Sequence, residues 1–241
     1  MKAFGLKDVI YLVVIVLLIA AVITVSVLYR NLREKKRQED LSSYYNTKCA
    51  SFEVQNANLS EGQIVFIGDS ITDGYHLDAF YSDLPLATYN RGIGGDVTAG
   101  VINRLKLCLY DLKPTKIVLM IGINDINSGV TDEQLKANYE TILSGIKENL
   151  PTTEVFCLSI LPMQQKVEAY GVNLTIATTR IKAMNGEIQT LAAAKGYHYV
   201  DLFTPFSDGN DRMIEGYSDD GLHPNNAGYV VWTNVLKPLL Q

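Results

Sequence analysis

Hydrophobic positions change their rhythm along the chain, and each rhythm predicts a different element. Val9 to Tyr29 is an almost unbroken apolar run of 21 residues, interrupted only by Thr24 and Ser26 and carrying no charge. A helix rising ~1.5 Å per residue over that length spans the ~30 Å hydrocarbon core of a bilayer. Residues 30–40 follow as a charged stretch, read as a solvated spacer or helix, and Leu41 to about Val54 has a weak helical pattern. Short apolar runs of strand length then alternate with helical stripes. Gln63–Ile67, Leu86–Asn90, Lys116–Ile121, Val155–Ile160 and Tyr197–Asp201 are the predicted strands. Between them, Val101, Leu105, Cys108 and Leu112 recur at helical spacing, as do Leu135, Tyr139, Ile142 and Ile146. The second stripe starts after Thr131-Asp-Glu-Gln134, which fits a capping box. A third stripe, Ala177, Ile181, Met184, Ile188 and Leu191, closes at Gly196, where a left-handed C-cap is expected.

Five strands alternating with helices predict an α/β protein with three layers, α/β/α, around a parallel sheet covered on both faces. A flavodoxin-like strand order, 2-1-3-4-5, brings the loops after the first three strands together beyond the carboxyl edge, where ligands bind in such sheets. The expected organisation is a tail (1–8), one N-terminal transmembrane helix (9–29), a charged linker (30–40) and a single α/β domain (41–241). A cleaved signal peptide is the rival for the apolar run. Its hydrophobic region is typically ~7–15 residues and ends in small residues, whereas this run is longer and closes on Val27, Leu28, Tyr29 and Arg30.

Composition sharpens that division. Residues 41–241 are about 45% apolar, the usual soluble level. Residues 1–40 have seven Lys/Arg against four Asp/Glu, and the remainder has 14 against 22, a charge of -8. A nucleic-acid binder needs a basic surface and is disfavoured, as are a polytopic transporter and a disordered chain. Cys49, Cys108 and Cys157 are odd in number and widely spaced, so neither a disulfide framework nor a metal site is expected. Asn58-Leu-Ser60 and Asn173-Leu-Thr175 fit a glycosylation sequon, a short and frequent pattern.

The three convergent loops are rich in Gly, Asp, Asn and Ser. Ser70 follows the first strand in Gly68-Asp69-Ser70, where it serves either as a nucleophile or as the cap of the next helix. Of three histidines, His76 and His198 are the weaker candidates for its base. His223, in Asp219-Asp220-Gly221-Leu222-His223-Pro224-Asn225, precedes a proline suited to the first position of the last helix. Asp220 is placed to fix its tautomer, with Asp219 as the adjacent competitor. A tetrahedral intermediate needs donors: the N–H groups of Ser70 and Gly95 and the side-chain amide of Asn124 are candidates. The dinucleotide fingerprint fails at Val97, and G-x-S-x-G does not occur. No second histidine stands at metal-ligand spacing from His223.

Four blocks in order, Gly68-Asp69-Ser70, Asn90-Arg-Gly-Ile-Gly-Gly95-Asp96, Gly122-Ile-Asn124-Asp125 and Asp220-Gly-Leu-His223-Pro-Asn, resemble the SGNH (GDSL-type) hydrolases. The similarity is to the branch of platelet-activating-factor acetylhydrolase subunits and lysophospholipase-like esterases, and it covers roughly Phe52 to Leu236. It implies Ser70 as nucleophile with Asp220 and His223 as partners, and an oxyanion hole of Ser70, Gly95 and Asn124. It implies no cofactor and no metal. Ile71, where the family has Leu, conserves volume. The expected protein is a membrane-anchored serine esterase acting on a small ester, either a short-chain acyl lipid or an acetylated glycan. An acyltransferase with the same triad and a non-catalytic binding module are the rivals. Pro162–Thr175 and Phe203–Asp219 are expected to wall the pocket, with Tyr75, Phe203, Phe206 and Tyr217 as apolar surfaces. Basic residues after the span argue for a cytoplasmic domain; the resemblance implies an outward-facing one, and the extracytoplasmic side is the adopted expectation.

Overall fold

The structure is a computed structural model and describes residues 5–241. The chain divides into two compact units, residues 1–44 and 45–241. Helix α1, Leu6–Asn56, begins in the first. It carries a window with mean hydropathy 3.1, long and apolar enough to cross a membrane and with none of it buried. The predicted tail falls partly on residues 1–4, outside the described residues.

The second unit holds a five-stranded parallel sheet in the order β2-β1-β3-β4-β5, as the alternation predicts. Its strands are β1 (Ile64–Gly68), β2 (Thr88–Gly92), β3 (Lys116–Met120), β4 (Glu154–Leu158) and β5 (His198–Val200). The central β1 is buried along its whole length, which is why IVFIG shows no alternation. Its register against both neighbours, Gly68 beside Gly92 and Met120, aligns the carboxyl ends of the three strands whose loops matter.

Helices α2 (Ser70–Asp73), α3 (Leu77–Tyr81), α4 (Thr98–Asn103), α5 (Ile123–Ser128), α6 (Asp132–Asn149), α7 (Leu174–Lys195), α8 (Phe203–Phe206) and α9 (Asn226–Leu240) cover the sheet. α6 packs on α4 and α7, while α9 packs on α3 and α8. Thr131 caps α6 by accepting from the Gln134 N–H, and Gly196 ends α7 at φ 74°. Asn173, the second sequon asparagine, caps α7.

Three expectations needed correction. β2 lies two residues later than Leu86–Asn90. Arg91 and Gly92 join the strand that the pattern ended at Asn90. The polar Arg91 is admitted because tertiary partners satisfy it, its guanidinium sitting 4.6 Å from the centre of the Phe52 ring of α1 and donating to the Gln55 and Asn56 side chains, while Asn90 Nδ2 donates to the Thr72 and Tyr75 carbonyls. The stripe from Val101 to Leu112 is buried, yet it is no single helix; α4 ends at Asn103 and a π-helical turn, Lys106–Tyr110, follows. Arg104, at the break, turns inward. Pro224, finally, precedes the cap of α9 rather than opening the helix; Asn225 is the N-cap, accepting from the Ala227 and Gly228 N–H groups.

Candidate active site

Gly68 and Gly92 let the end of the sheet meet the turn after β1 with no side chain between them. A Cβ on Gly92 would stand 2.1 Å from the Asp73 nitrogen, and one on Gly68 would stand 2.2 Å from the Met120 carbonyl oxygen. Asp69, not Ser70, caps α2: its Oδ1 accepts the Ile71 N–H at 3.0 Å. Ser70 is therefore the first residue of the helix, its hydroxyl released from capping and its N–H in a position that has no intrahelical acceptor. Tyr229 Oη donates to the Ile71 carbonyl at 2.7 Å and ties this turn to α9.

The half-buried Ser70 Oγ lies 2.8 Å from His223 Nε2 across 153 residues of chain. His223 Nδ1 lies 2.6 Å from Asp220 Oδ2. The other carboxylate oxygen, Oδ1, accepts the Leu222 and His223 N–H groups at 2.8 Å each and the Ser218 hydroxyl at 3.1 Å. Burial would raise the Asp220 pKa, but the bonds from the His223 ring and the two backbone N–H groups outweigh it and hold the carboxyl well below the usual carboxylate range. Asp219 faces elsewhere and accepts from Asn225 Nδ2. Gly221, at φ 90°, makes the sharp turn between Asp220 and His223, and its carbonyl accepts the Gln164 N–H at 2.9 Å. The segment predicted to wall the pocket thus abuts the His223 loop.

Gly95 stands at φ 76° in the loop after β2, a left-handed conformation that glycine adopts without strain. Asn124 lies in the first turn of α5, which Gly122 at φ 126° precedes. Its Nδ2 donates to the Asp96 carbonyl at 2.9 Å, bringing the two loops together and leaving its second hydrogen for a ligand. His76 is exposed at the start of α3 and His198 lies on edge strand β5, both away from this cluster. Tyr75 and Phe206 are core rather than pocket wall. Tyr75 stacks on Tyr229 at 4.4 Å and hydrogen-bonds Thr233 and Tyr81, and Phe206 is fully buried against Tyr217. Phe203 and Tyr217 are partly buried.

Sequence reasoning missed the polar frame underneath. Arg104, 2% exposed, donates through Nε to Asp96 Oδ2 at 2.8 Å, through Nη1 to the Arg91 carbonyl at 2.6 Å and through Nη2 to the Gly68 carbonyl at 2.9 Å. One guanidinium thereby joins the ends of β1 and β2 to the loop bearing Gly95. Asp125 holds Thr98 by its N–H and hydroxyl, and the Thr98 hydroxyl also accepts from Asn138. Burial pushes Asp69 up to about 7 and also raises Asp96 and Asp125, with Arg104 and the Thr98 donors opposing it at the latter two. The acidic residue before Ser70 was the available clue to the cap; nothing local marks Arg104.

Comparison with known proteins places the chain among acylhydrolases. The GDSL-like lipase/acylhydrolase family model matches residues 66–231. Platelet-activating factor acetylhydrolase IB subunit alpha1 of Bos taurus is 30% identical over 192 residues, 78% of each chain. Subunit alpha2 of Homo sapiens is 34% identical over 187 residues, 74% of this chain and 75% of its own. A Streptococcus pneumoniae protein solved as a platelet activating factor superposes with a TM-score of 0.80 at 30% identity, over 87% of this chain and 99% of its own. An acetylxylan esterase from Geobacillus stearothermophilus shares the fold, with a TM-score of 0.61 at 19% identity over 75% of this chain and 94% of its own.

Proposed function

Because the chain belongs to the GDSL-like lipase/acylhydrolase family, whose members hydrolyse esters, we propose that it is a membrane-anchored serine esterase with Ser70 as nucleophile, His223 as base and Asp220 as its partner. The observation that carries this reading is the continuous line of two short contacts, Ser70 Oγ to His223 Nε2 and His223 Nδ1 to Asp220 Oδ2.

An Asp220 carboxylate that stays ionised accepts the Nδ1–H and keeps the Nε2 lone pair directed at the Ser70 hydroxyl. As Ser70 Oγ attacks the ester carbonyl, its proton passes to Nε2 and the imidazolium is stabilised by Asp220. The carbonyl oxygen takes up negative charge, and the Ser70 N–H, the Gly95 N–H and the Asn124 amide are the donors assigned to it. Collapse expels the alcohol, which takes its proton from His223, and leaves an acyl-enzyme. Water deprotonated by the same imidazole then releases the acid and regenerates Ser70.

The substrate class is a small ester carrying a short acyl group, on a lipid or on a glycan. Two relatives whose names mention acetyl chemistry, the acetylhydrolase subunits and the acetylxylan esterase, support a short acyl group. The anchor is assigned to Val9–Tyr29 within α1 and the catalytic domain to the extracytoplasmic side; protease accessibility on intact cells tests the side. Replacing Ser70 by Ala is expected to abolish hydrolysis of p-nitrophenyl acetate while the domain stays folded. Full activity in that variant would sink the assignment.

A further inference from the structure

The family match begins at residue 66, yet the end of α1 reaches the active-site loops. Tyr45 Oη donates to the Gly100 carbonyl at 2.9 Å. Lys48 Nζ lies 2.7 Å from Asp73 Oδ1, and Asp73 Oδ2 accepts the Gly94 N–H at 3.1 Å. Asp73 closes α2, three residues after Ser70. One carboxylate therefore links three things: the end of α1, the helical turn that bears the nucleophile, and the peptide immediately before Gly95.

Resting on the reading above, in which the Gly95 N–H is an oxyanion donor, we propose that Lys48 is a positioning residue for that donor. Two donors on opposite oxygens hold the Asp73 carboxylate in one rotamer, and the Gly94 N–H aimed at it sets the tilt of the Ile93–Gly94 peptide plane. Fixing that plane fixes the start of the Gly94 backbone, from which the Gly94 dihedrals carry the next N–H, on Gly95, to its direction. Lys48 also neutralises a carboxylate close to the place where the substrate oxygen becomes negative, so its charge opposes a repulsion that would grow along the reaction. The side chains of the pair are 26% and 17% exposed, sheltered enough from solvent for the interaction to hold its geometry. The role is invisible in the ground state of the substrate and emerges as charge develops, which directs its effect to kcat rather than KM.

The pair lines a cavity of ≈390 Å³, so methionine at position 48 is accommodated without overpacking. The experiment uses the full-length protein in detergent and compares Lys48→Met, Lys48→Arg and Ser70→Ala. Lys48→Met is expected to lower kcat for p-nitrophenyl acetate, and the rate of Ser70 labelling by an organophosphonate, by roughly tenfold, with KM changed by less than about twofold. Lys48→Arg restores most of the loss. A kcat in Lys48→Met within about twofold of wild type, or a loss that arginine does not restore, overturns the proposal. That failure, in a protein whose activity still depends on Ser70, leaves the nucleophile assignment standing. Full activity in Ser70→Ala overturns the assignment itself.

Discussion

Arg104→Met isolates the polar frame from the chemistry it supports. The substitution keeps an unbranched stem out to about the position of Nε and removes the guanidinium. Asp96, 5% exposed, is left with the Val97 N–H on one oxygen, and the Gly68 and Arg91 carbonyls lose their side-chain donor. Removing one partner of a buried ion pair typically costs ~3–5 kcal/mol, because the remaining charge is uncompensated. In a domain of this size each kcal/mol lowers Tm by ~2–4 °C, so a fall of roughly 6–20 °C is expected in thermal unfolding followed by circular dichroism. The Asp96→Asn, Arg104→Met double variant removes the stranded charge and should recover part of that loss. The pH dependence has a definite sign. Burial already raises the Asp96 pKa with Arg104 opposing, so in the single variant it rises further. A group whose folded pKa is raised supports folding at low pH and loses that support as pH climbs through the folded value, so the deficit should be larger at pH 8 than at pH 5. A Tm shift below about 3 °C, or a double variant no more stable than the single, would refute the view that this pair carries the frame.

Two further expectations follow from the acidic residues. Asp220→Asn should lower kcat by roughly 10²–10⁴ with little change in KM, because the amide cannot hold the same histidine tautomer, while Asp219→Asn, whose carboxylate meets only Asn225 among its bonds described above, stays near wild type in the same ester assay. Equal losses in both variants would contradict the assignment of Asp220. Asp69, with its folded pKa pushed up to about 7, contributes stability that is present below the ordinary carboxylate pKa of about 3.9 and lost as pH rises through about 7. The wild-type Tm should accordingly decline from pH 5 to pH 8, and Asp69→Asn, which keeps an acceptor for the Ile71 N–H, should flatten that slope; a parallel decline in the variant argues against it.

Local pattern carried the strand sequence, because β1, β3 and β4 are continuous apolar runs that only a sheet covered on both faces can bury. It also carried α6 and α7, whose caps at Thr131 and Gly196 depend on neighbours a few residues away. β2 was placed two residues early because Arg91 becomes a strand residue only when the Phe52 ring and the Gln55 and Asn56 side chains arrive to satisfy it. α4 was overextended for the same kind of reason. Apolar periodicity continues through Arg104, and the break exists because that side chain finds acceptors at the ends of two strands.

At the site, Ser70 and Asn124 stood out in the sequence as polar residues just past apolar runs and His223 as the histidine of a polar loop ahead of the last helix, and the four family blocks singled out the same positions. Asp220 was preferred to Asp219 as the partner of His223, yet sequence position differs by one and side-chain direction depends on the Gly221 turn. Tyr75 and Phe206 were assigned to a pocket on chemical type alone, but packing against α9 and Tyr217 places them in the core. Taken alone, the sequence determined the elements, the apolar helix and the residue types available for acyl chemistry, because these follow from periodicity and short-range spacing. Only the tertiary structure decided that Ser70 meets His223 across 153 residues, that Asp69 frees Ser70 from capping, and that Arg104 and Lys48 brace the loops. Those contacts join segments that are distant in the chain, and their geometry is set by how the sheet brings its strand ends together rather than by any local preference.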